Sequence, residues 1–314
     1  MHDFYHDCCQ KNPFWKEPGS GKILCRKCFT SIIENRVRRT INRMKVIRYK
    51  SKIGIALSGG KDSTVLLHIL SNLYRKRPDI SLIALTIDEG IANYRDESLL
   101  LANKNCQILQ VPNVIESFKS LYGMSLDEII NKRNKQKIQT SSCAICGVLR
   151  RRALNLLGKR EKVDIISTGH TLDDQVQTIF LNLLRGDSQR ILRDTRRLSK
   201  NQEIQRIKPL NEISEVESTL YAYVKGFSIQ TIRCPYSSEA MRNKIRQFLI
   251  EMEHHHPTTM ISTLRAYSKI KETLKTAKIT EGYTNNTCTR CNILTSRKLC
   301  QTCKIIEDLK LNQS

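Results

Sequence analysis

The sequence predicts an α/β fold: a parallel sheet carrying an anion-binding loop, flanked by a cysteine module near each end. Three observations predict it. Short apolar runs of strand length alternate with amphipathic segments of helical period. One of those runs, Ile53–Leu57, leads through Ser58-Gly59-Gly60-Lys61-Asp62-Ser63 into the apolar helix start Val65-Leu66-Leu67. Paired cysteines stand at Cys25-x2-Cys28 near one end, and at Cys288-x2-Cys291 and Cys300-x2-Cys303 near the other.

Composition narrows the partners. The chain of 314 residues is long enough for one sizeable α/β domain with small modules attached. Its 53 Lys and Arg against 30 Asp and Glu give a net charge of +23, which calls for a polyanionic partner. No run of about 18 apolar residues is present, so no membrane span is expected and nucleic acid is the favoured partner. The first residues, with His2, Asp3, His6 and Asp7, do not read as a secretory signal. Without one, 12 cysteines, most of them in pairs, point to metal rather than to disulfides.

Taken in order, residues 1–30 read as an N-terminal zinc module. Cys25 and Cys28 supply one knuckle, and the other is the irregular His6-Asp7-Cys8-Cys9. His6, Cys9, Cys25 and Cys28 are the preferred zinc ligands, because His6-x2-Cys9 keeps the knuckle spacing. The alternative is a decayed site with one intact pair. Residues 31–50 form a basic linker, helical over 31–44. Residues 51–256 form the core, with strands at 53–57, 81–87, 107–111 and 163–168. Its helices fall at about 62–76, 95–105, 116–121, 125–136, 211–226 and 238–252, with one more from the Asp173-Asp174 region to about Leu184. Residues 185–207 read as a basic loop over the site. Residues 257–284 form a basic helical linker, and residues 285–314 a C-terminal zinc ribbon on Cys288, Cys291, Cys300 and Cys303, whose two short-spaced knuckles are the clearest metal signal in the chain.

The chemistry gathers at the carboxyl ends of the strands, where open parallel sheets bind ligands. Ser58–Ser63, Asp88 and Gly169-His170-Thr171-Leu172-Asp173-Asp174 all follow strands. The glycines permit a tight turn, and the backbone N–H groups of the helix start then converge on an anion. Inside the core, Cys143-x2-Cys146 precedes a basic helix, and Cys234 stands apart in Arg233-Cys234-Pro235-Tyr236. Three cysteines are one short of a closed zinc site. They suit a cluster or metal with an open position, or else they are unrelated buried thiols.

Ser58–Ser63 is not the ordinary P-loop, which needs G-x-x-x-x-G-K-[ST]. After an apolar strand, it resembles the pyrophosphate-binding loop of the ATP pyrophosphatases. With the two cysteine modules, Cys143-Ala-Ile-Cys146-Gly147 and Gly169-His-x-x-Asp-Asp174 in this order, nearly the whole chain resembles the TtcA/TtuA family of tRNA 2-thiolation enzymes. Asp88-Glu-Gly-Ile-Ala-Asn-Tyr-Arg-Asp96 and Cys143-Ala-Ile-Cys-Gly-Val-Leu-Arg-Arg-Arg-Ala-Leu154 are most similar to its eukaryotic, Ctu/Ncs-type branch.

That resemblance implies an α/β PP-loop ATP-pyrophosphatase core of the adenine nucleotide alpha hydrolase type. It implies a cytoplasmic transferase that spends ATP to adenylylate the C2 oxygen of the wobble uridine in lysine, glutamate and glutamine tRNAs, then installs sulfur. ATP contacts are implied at Ala56, Ser58, Gly59, Gly60, Lys61, Asp62, Ser63, Ile87, Arg150, Gly169 and Asp174. Asp174 is also implied as catalytic, holding Mg2+ or orienting the reacting groups. Cys143, Cys146 and Cys234 are implied as catalytic cysteines that carry a [4Fe-4S] cluster with one iron open. A paralogous Ctu/Ncs type 2 subunit and a ubiquitin-related modifier carrying sulfur are the implied protein partners. The departure is at His6, where relatives have a cysteine. Cytidine 2-thiolases and lysidine synthetases are alternatives, disfavoured by the flanking modules. A non-catalytic zinc-containing RNA-binding subunit would carry damage in Ser58–Ser63 or Asp173-Asp174, and both are intact.

Overall fold

A computed structural model of the chain describes residue 9 and residues 11–186, 204–230, 232–239, 242–276, 286–295 and 297–312. A two-stranded hairpin, β1 (Trp15–Lys16) and β2 (Ile23–Leu24), leads into helix α1 (Arg26–Met44). The core then alternates. Strand β3 (Lys52–Ala56) precedes α2 (Lys61–Tyr74), β4 (Ser81–Asp88) precedes α3 (Arg95–Leu109), and β5 (Asn113–Ser117) precedes α4 (Phe118–Tyr122), α5 (Leu126–Lys135) and α6 (Ser142–Arg160). Strand β6 (Ile165–Thr168), α7 (Leu172–Leu184), the short β7 (Gln205–Ile207) and α8 (Glu215–Lys225) complete it. A 3-10 turn (Pro235–Glu239) precedes α9 (Arg242–His255) and α10 (Thr259–Thr276). The C-terminal module is a hairpin, β8 (Asn286–Thr287) and β9 (Leu294–Thr295), with α11 (Gln301–Asp308).

Strands β3 to β7 form one parallel sheet in the order β5-β4-β3-β6-β7. The side-chain period of two divides β4 between two cores. Ile83, Leu85 and Ile87 face α5, α6 and α11, while Ala84 faces α2, α3 and α8. Both faces are covered, so the central strands β3, β4 and β6 are largely apolar, as a parallel sheet requires. The chain builds outward from β3 to β5, then returns to place β6 on the other side of β3. That reversal opens a crevice beyond the ends of β3 and β6, the position where such sheets bind ligands.

The structure departs from sequence expectation in four places. Residues 107–109 end α3 rather than forming a strand; Gln110 turns left-handed, and the third strand begins at Asn113 after Pro112. The run Gln107–Val111 is too short for periodicity to separate strand from helix. Residues 205–207, read as part of a basic loop, add the edge strand β7; the expectation for 187–203 lies outside the described residues. Helix α1 begins at Arg26, with Cys25 at its N-cap, and so runs through the expected boundary at residue 30. Helix α10, expected in a linker, packs on α7 through Met260, which shares a core with Leu172 and Val176.

A part-buried polar chain joins three helices on one face. Tyr221 donates to Glu34 Oε1 (2.7 Å), and its oxygen meets His68 Nδ1 at 3.0 Å. The Asn72 amide donates to His68 Nε2 at 3.2 Å, so the neutral Nδ1–H tautomer satisfies both ring nitrogens. Burial, reinforced by Lys225 and Arg75 and opposed by Glu34, pushes His68 down from 6.5 to about 4. A histidine held neutral in the fold binds its proton more tightly when unfolded. The stability it contributes is therefore complete above pH 6.5 and is lost as pH falls from 6.5 towards 4. A His68→Gln variant should show a shallower fall of thermal midpoint with pH across that window, measured by calorimetry; equal slopes would contradict the neutral assignment.

Candidate active site

The anion loop is built by β3 and α2. Beyond Ala56 the chain leaves the sheet with Leu57 still bonded to Leu85 O (3.0 Å), and Gly59 then turns with φ +81. A Cβ there would collide with the carbonyl of Ser98 on α3, so two constraints demand glycine. Gly60 caps α2 without a side chain, leaving the first N–H groups of the helix directed outward. Ser63 closes the turn: its hydroxyl accepts from Ser58 N (3.2 Å), contacts Ser58 Oγ (3.0 Å) and donates to Gly60 O (2.9 Å). Lys61 Nζ lies 2.8 Å from Asp62 Oδ1 and donates to Glu215 O at 3.2 Å.

The second wall comes from β6 and α7. A Cβ on Gly169 would lie 3.0 Å from the backbone of Asp62 and Ser63, so only glycine allows the two loops this approach. Thr171 and Asp174 form a capping box at the start of α7. The two neighbouring carboxylates part company. Asp174 faces the cavity and meets Arg242 at 3.3 Å. Asp173 is buried, accepts from Glu215 N at 2.7 Å, and is pushed up to about 6 by burial. His170 rests on Thr168 Oγ1 (2.9 Å), and burial pushes it down to about 4.

Between these walls lies a cavity of about 330 Å³. Ala56, Ser58, Gly60, Lys61, Asp62, Ser63, Ile87, Arg150, Gly169 and Asp174 line it, and Gly59 shapes the turn behind it. Its size, apolar strand ends and exposed helix N–H groups fit a nucleotide with its phosphates on the loop. Asp62 and Asp174 offer the oxygen ligands that Mg2+ favours.

The sequence reading missed Glu89, Arg95 and Arg242. The Glu89 side chain is 3% exposed and meets two guanidinium groups: Arg95 Nε at 2.8 Å and Arg150 Nε at 2.5 Å. Arg95 also donates to Ser58 O (2.8 Å) and Ile87 O (2.5 Å), tying the anion loop to the end of β4. Arg150 also reaches Cys146 Sγ at 3.3 Å. The string Asp88-Glu89-Gly90 was visible in the sequence, but no local spacing joins Glu89 to an arginine on α6.

The third group is sulfur. Cys143 and Cys146 sit in the first turns of α6, and Cys234 stands just before the 3-10 turn that packs on that helix. Cys143 Sγ donates to Tyr236 O at 3.2 Å. Cys146 is pushed up to about 11, first by burial and also by Cys234 and Cys143 nearby, against the pull of Arg150. Two tighter sulfur groups lie elsewhere. Cys288, Cys291, Cys300 and Cys303, like Cys9, Cys25 and Cys28, have all their sulfurs within 4.8 Å of one another. Among the described residues, Cys143, Cys146 and Cys234 do not form a third group so compact. The Cys291–Cys300 sulfur separation of 3.6 Å is close to the edge of a tetrahedron around zinc, about 3.8 Å for bonds of ~2.3 Å. Cys303 N–H donates to Cys300 Sγ (3.4 Å) and Cys25 N–H to Cys9 Sγ (3.3 Å), as thiolate knuckles require. His6, the expected fourth N-terminal ligand, lies outside the described residues.

Comparison with known proteins agrees with this geometry. The PP-loop domain family matches residues 30–253. Cytoplasmic tRNA 2-thiolation protein 1 of Drosophila melanogaster is 35% identical, covering 98% of this chain and 89% of its own. The Danio rerio protein of that name is 37% identical, covering 96% and 87%. The chain belongs to the cytoplasmic tRNA 2-thiolation protein 1 family. A solved structure, the U34-tRNA thiolase NcsA from Methanococcus maripaludis with its [4Fe-4S] cluster, superposes with a TM-score of 0.81 at 30% identity, covering 95% of this chain and 93% of that one. Membership of the 2-thiolation family thus rests on nearly the full length, cysteine modules included.

Gly59→Ala tests the loop. A left-handed L-residue costs ~1–2 kcal/mol before the clash with Ser98 is counted, so ATP affinity should fall at least ~10-fold. Isothermal calorimetry reads this directly; unchanged affinity would mean that the nucleotide does not sit on this turn.

Proposed function

We propose that the chain is an ATP-dependent tRNA uridine thiolase, replacing the C2 oxygen of the wobble uridine U34 with sulfur in lysine, glutamate and glutamine tRNAs. The observation that carries the reading is Arg150, which links Glu89 on the wall of the nucleotide cavity to Cys146 of the sulfur site. Activation and sulfur transfer need adjacent sites, because the activated base must meet sulfur before water reaches it.

The chemistry follows from leaving groups. Oxygen leaves a uridine carbonyl poorly as oxide. In the first step the C2 oxygen bonds to the α-phosphorus of ATP, and the bond from that phosphorus to the bridging oxygen of pyrophosphate breaks. In the second, sulfur bonds to C2, and the C2–O bond breaks with loss of AMP. The N–H groups opening α2, with Lys61, hold the pyrophosphate. Asp174, with Asp62, holds Mg2+ or orients the reacting groups. Arg150 offsets negative charge as it builds on the α-phosphate. Ile87, at the end of β4, lies against the adenine.

Cys143, Cys146 and Cys234 act on sulfur. Three thiols on a helix start and an adjacent turn, spaced more widely than a single-ion site, suit a [4Fe-4S] cluster. Such a cluster, when bound, supplies an open iron for the incoming sulfur. The compact C-terminal cysteine group suits structural zinc, as does the N-terminal one with His6 completing it. A ubiquitin-related sulfur carrier and a paralogous subunit are the protein partners of this reading, and the cytoplasm is its setting, as the relatives' name states.

Three experiments bear on it. ATP–pyrophosphate exchange should require tRNA, and its absence with every tRNA would favour a non-catalytic RNA-binding role. Cys143→Ala or Cys234→Ala should reduce thiolation to background, scored by mass spectrometry of the tRNA, while ATP affinity stays within ~2-fold; parallel loss of both would make the cysteines structural. The net charge of +23 should make tRNA binding fall steeply with salt, by about 0.7–0.9 log units per log unit of salt for each phosphate neutralised. A flat response would remove the basic surface from the reading.

A further inference from the structure

Cys234 reaches the sulfur site from a segment remote in sequence, and the residue that holds it there is Tyr236. Its hydroxyl donates to Asp127 Oδ1 at 2.6 Å, while its backbone carbonyl accepts from Cys143 Sγ at 3.2 Å. Asp127 is itself fixed, since it lies in the first turn of α5 and its other oxygen accepts from Ala92 N at 2.9 Å. Ser237 N closes the turn on Cys234 O at 3.0 Å. Tyr236 and Cys234 both pack against the core that contains Cys146 and Leu149. One tyrosine thus touches two different elements, α5 by its ring oxygen and α6 by its carbonyl.

We propose that Tyr236 and Asp127 are positioning residues for the three-cysteine site: their hydrogen bond sets the distance of Cys234 from Cys143 and Cys146. The proposal rests on the sulfur-site reading above and concerns neither nucleotide binding nor RNA affinity. A hydrogen bond to an ionised acceptor is stronger than a neutral one, and this one spans parts of the chain that no regular element joins. Without it the turn would keep its apolar contacts but lose its register against α6. Asp127 is half-buried, so water can satisfy its oxygen when the tyrosine hydroxyl is removed, and the fold should survive the change.

The bridging test uses the reduced full-length chain stripped of iron and sulfide, so that Cys143, Cys146 and Cys234 can react, with Tyr236→Phe, Asp127→Ala and Asp127→Asn. Dibromobimane, which bridges only neighbouring thiols, should link Cys234 to a cysteine of α6 about tenfold more slowly in Tyr236→Phe and Asp127→Ala. Asp127→Asn keeps one carbonyl oxygen for the tyrosine and should fall between these and wild type. Iron and sulfide retained after anaerobic purification should follow the same order, while ATP affinity by calorimetry stays within about twofold. Thiolation should lose kcat without a change in KM for ATP. Unchanged bridging in Tyr236→Phe, or ATP affinity falling in step with it, would overturn the proposal. Full thiolation in Cys234→Ala would instead overturn the sulfur-site reading, and the bridging rates would still report whether the tyrosine positions Cys234.

Discussion

A single buried carboxylate organises the site. Glu89 lies between Arg95 and Arg150 with almost no solvent, where an unpaired charge could not stay ionised. Each arginine carries the restraint onward, one to the carbonyls of Ser58 and Ile87, the other to Cys146. The anion loop, the end of β4 and the cysteine helix are therefore held by one charge cluster. Breaking a buried pair by removing one partner costs about 3–5 kcal/mol, because the remaining charge is stranded. A hydrophobic replacement could be as stable, yet it could not point two guanidinium groups at defined oxygens and a sulfur. Specific geometry is the evident return on an interaction that is expensive to bury.

The sheet places everything else within reach of this cluster. Because β6 returns beside β3, the loops after both strands face each other across one crevice. Two glycines set the fit: Gly59 where the chain turns beneath α3, and Gly169 where the second loop meets the first. Ile87 and Leu154 line the same crevice as the two loops. Asp173 and Asp174 show how finely the second loop is set. Adjacent on a helix start, one secures α8 from inside while the other faces the cavity and Arg242.

What the sequence disclosed was whatever depends on neighbours in the chain. Ile53–Ser63 displays strand, turn and helix start within a dozen residues, and the knuckles at Cys288 and Cys300 are local as well. The run at 107–111 misled because Ile108 and Leu109 carry no period over so few residues, and α3 takes them into its last turn. Strand β7 escaped notice because three residues, Gln205–Ile207, offer no alternation, and its existence depends on β6 beside it. Glu89 with Arg150, Asp127 with Tyr236, and Arg242 with Asp174 were invisible for the same reason. Each is a contact between elements, and composition or spacing along one element cannot encode a partner on another.

The cysteine modules at the two ends belong to this design rather than hanging from it. Cys25 caps α1, and the same helix sends Phe29, Ile33, Val37 and Ile41 into the core on one face of the sheet. Cys300 caps α11, whose Ile305 and Ile306 enter the core on the opposite face. That second core also contains Ile145, Cys146 and Leu149 of α6. Helix α11 is short, at eight residues, and a helix of that length has little stability of its own. Order imposed at its first turn by a closed thiolate site would pass through Ile305 and Ile306 directly to the helix that carries Cys143 and Cys146. Packed side chains, Ile305 and Ile306 among them, thus join the C-terminal cysteine group to the helix that carries Cys143 and Cys146.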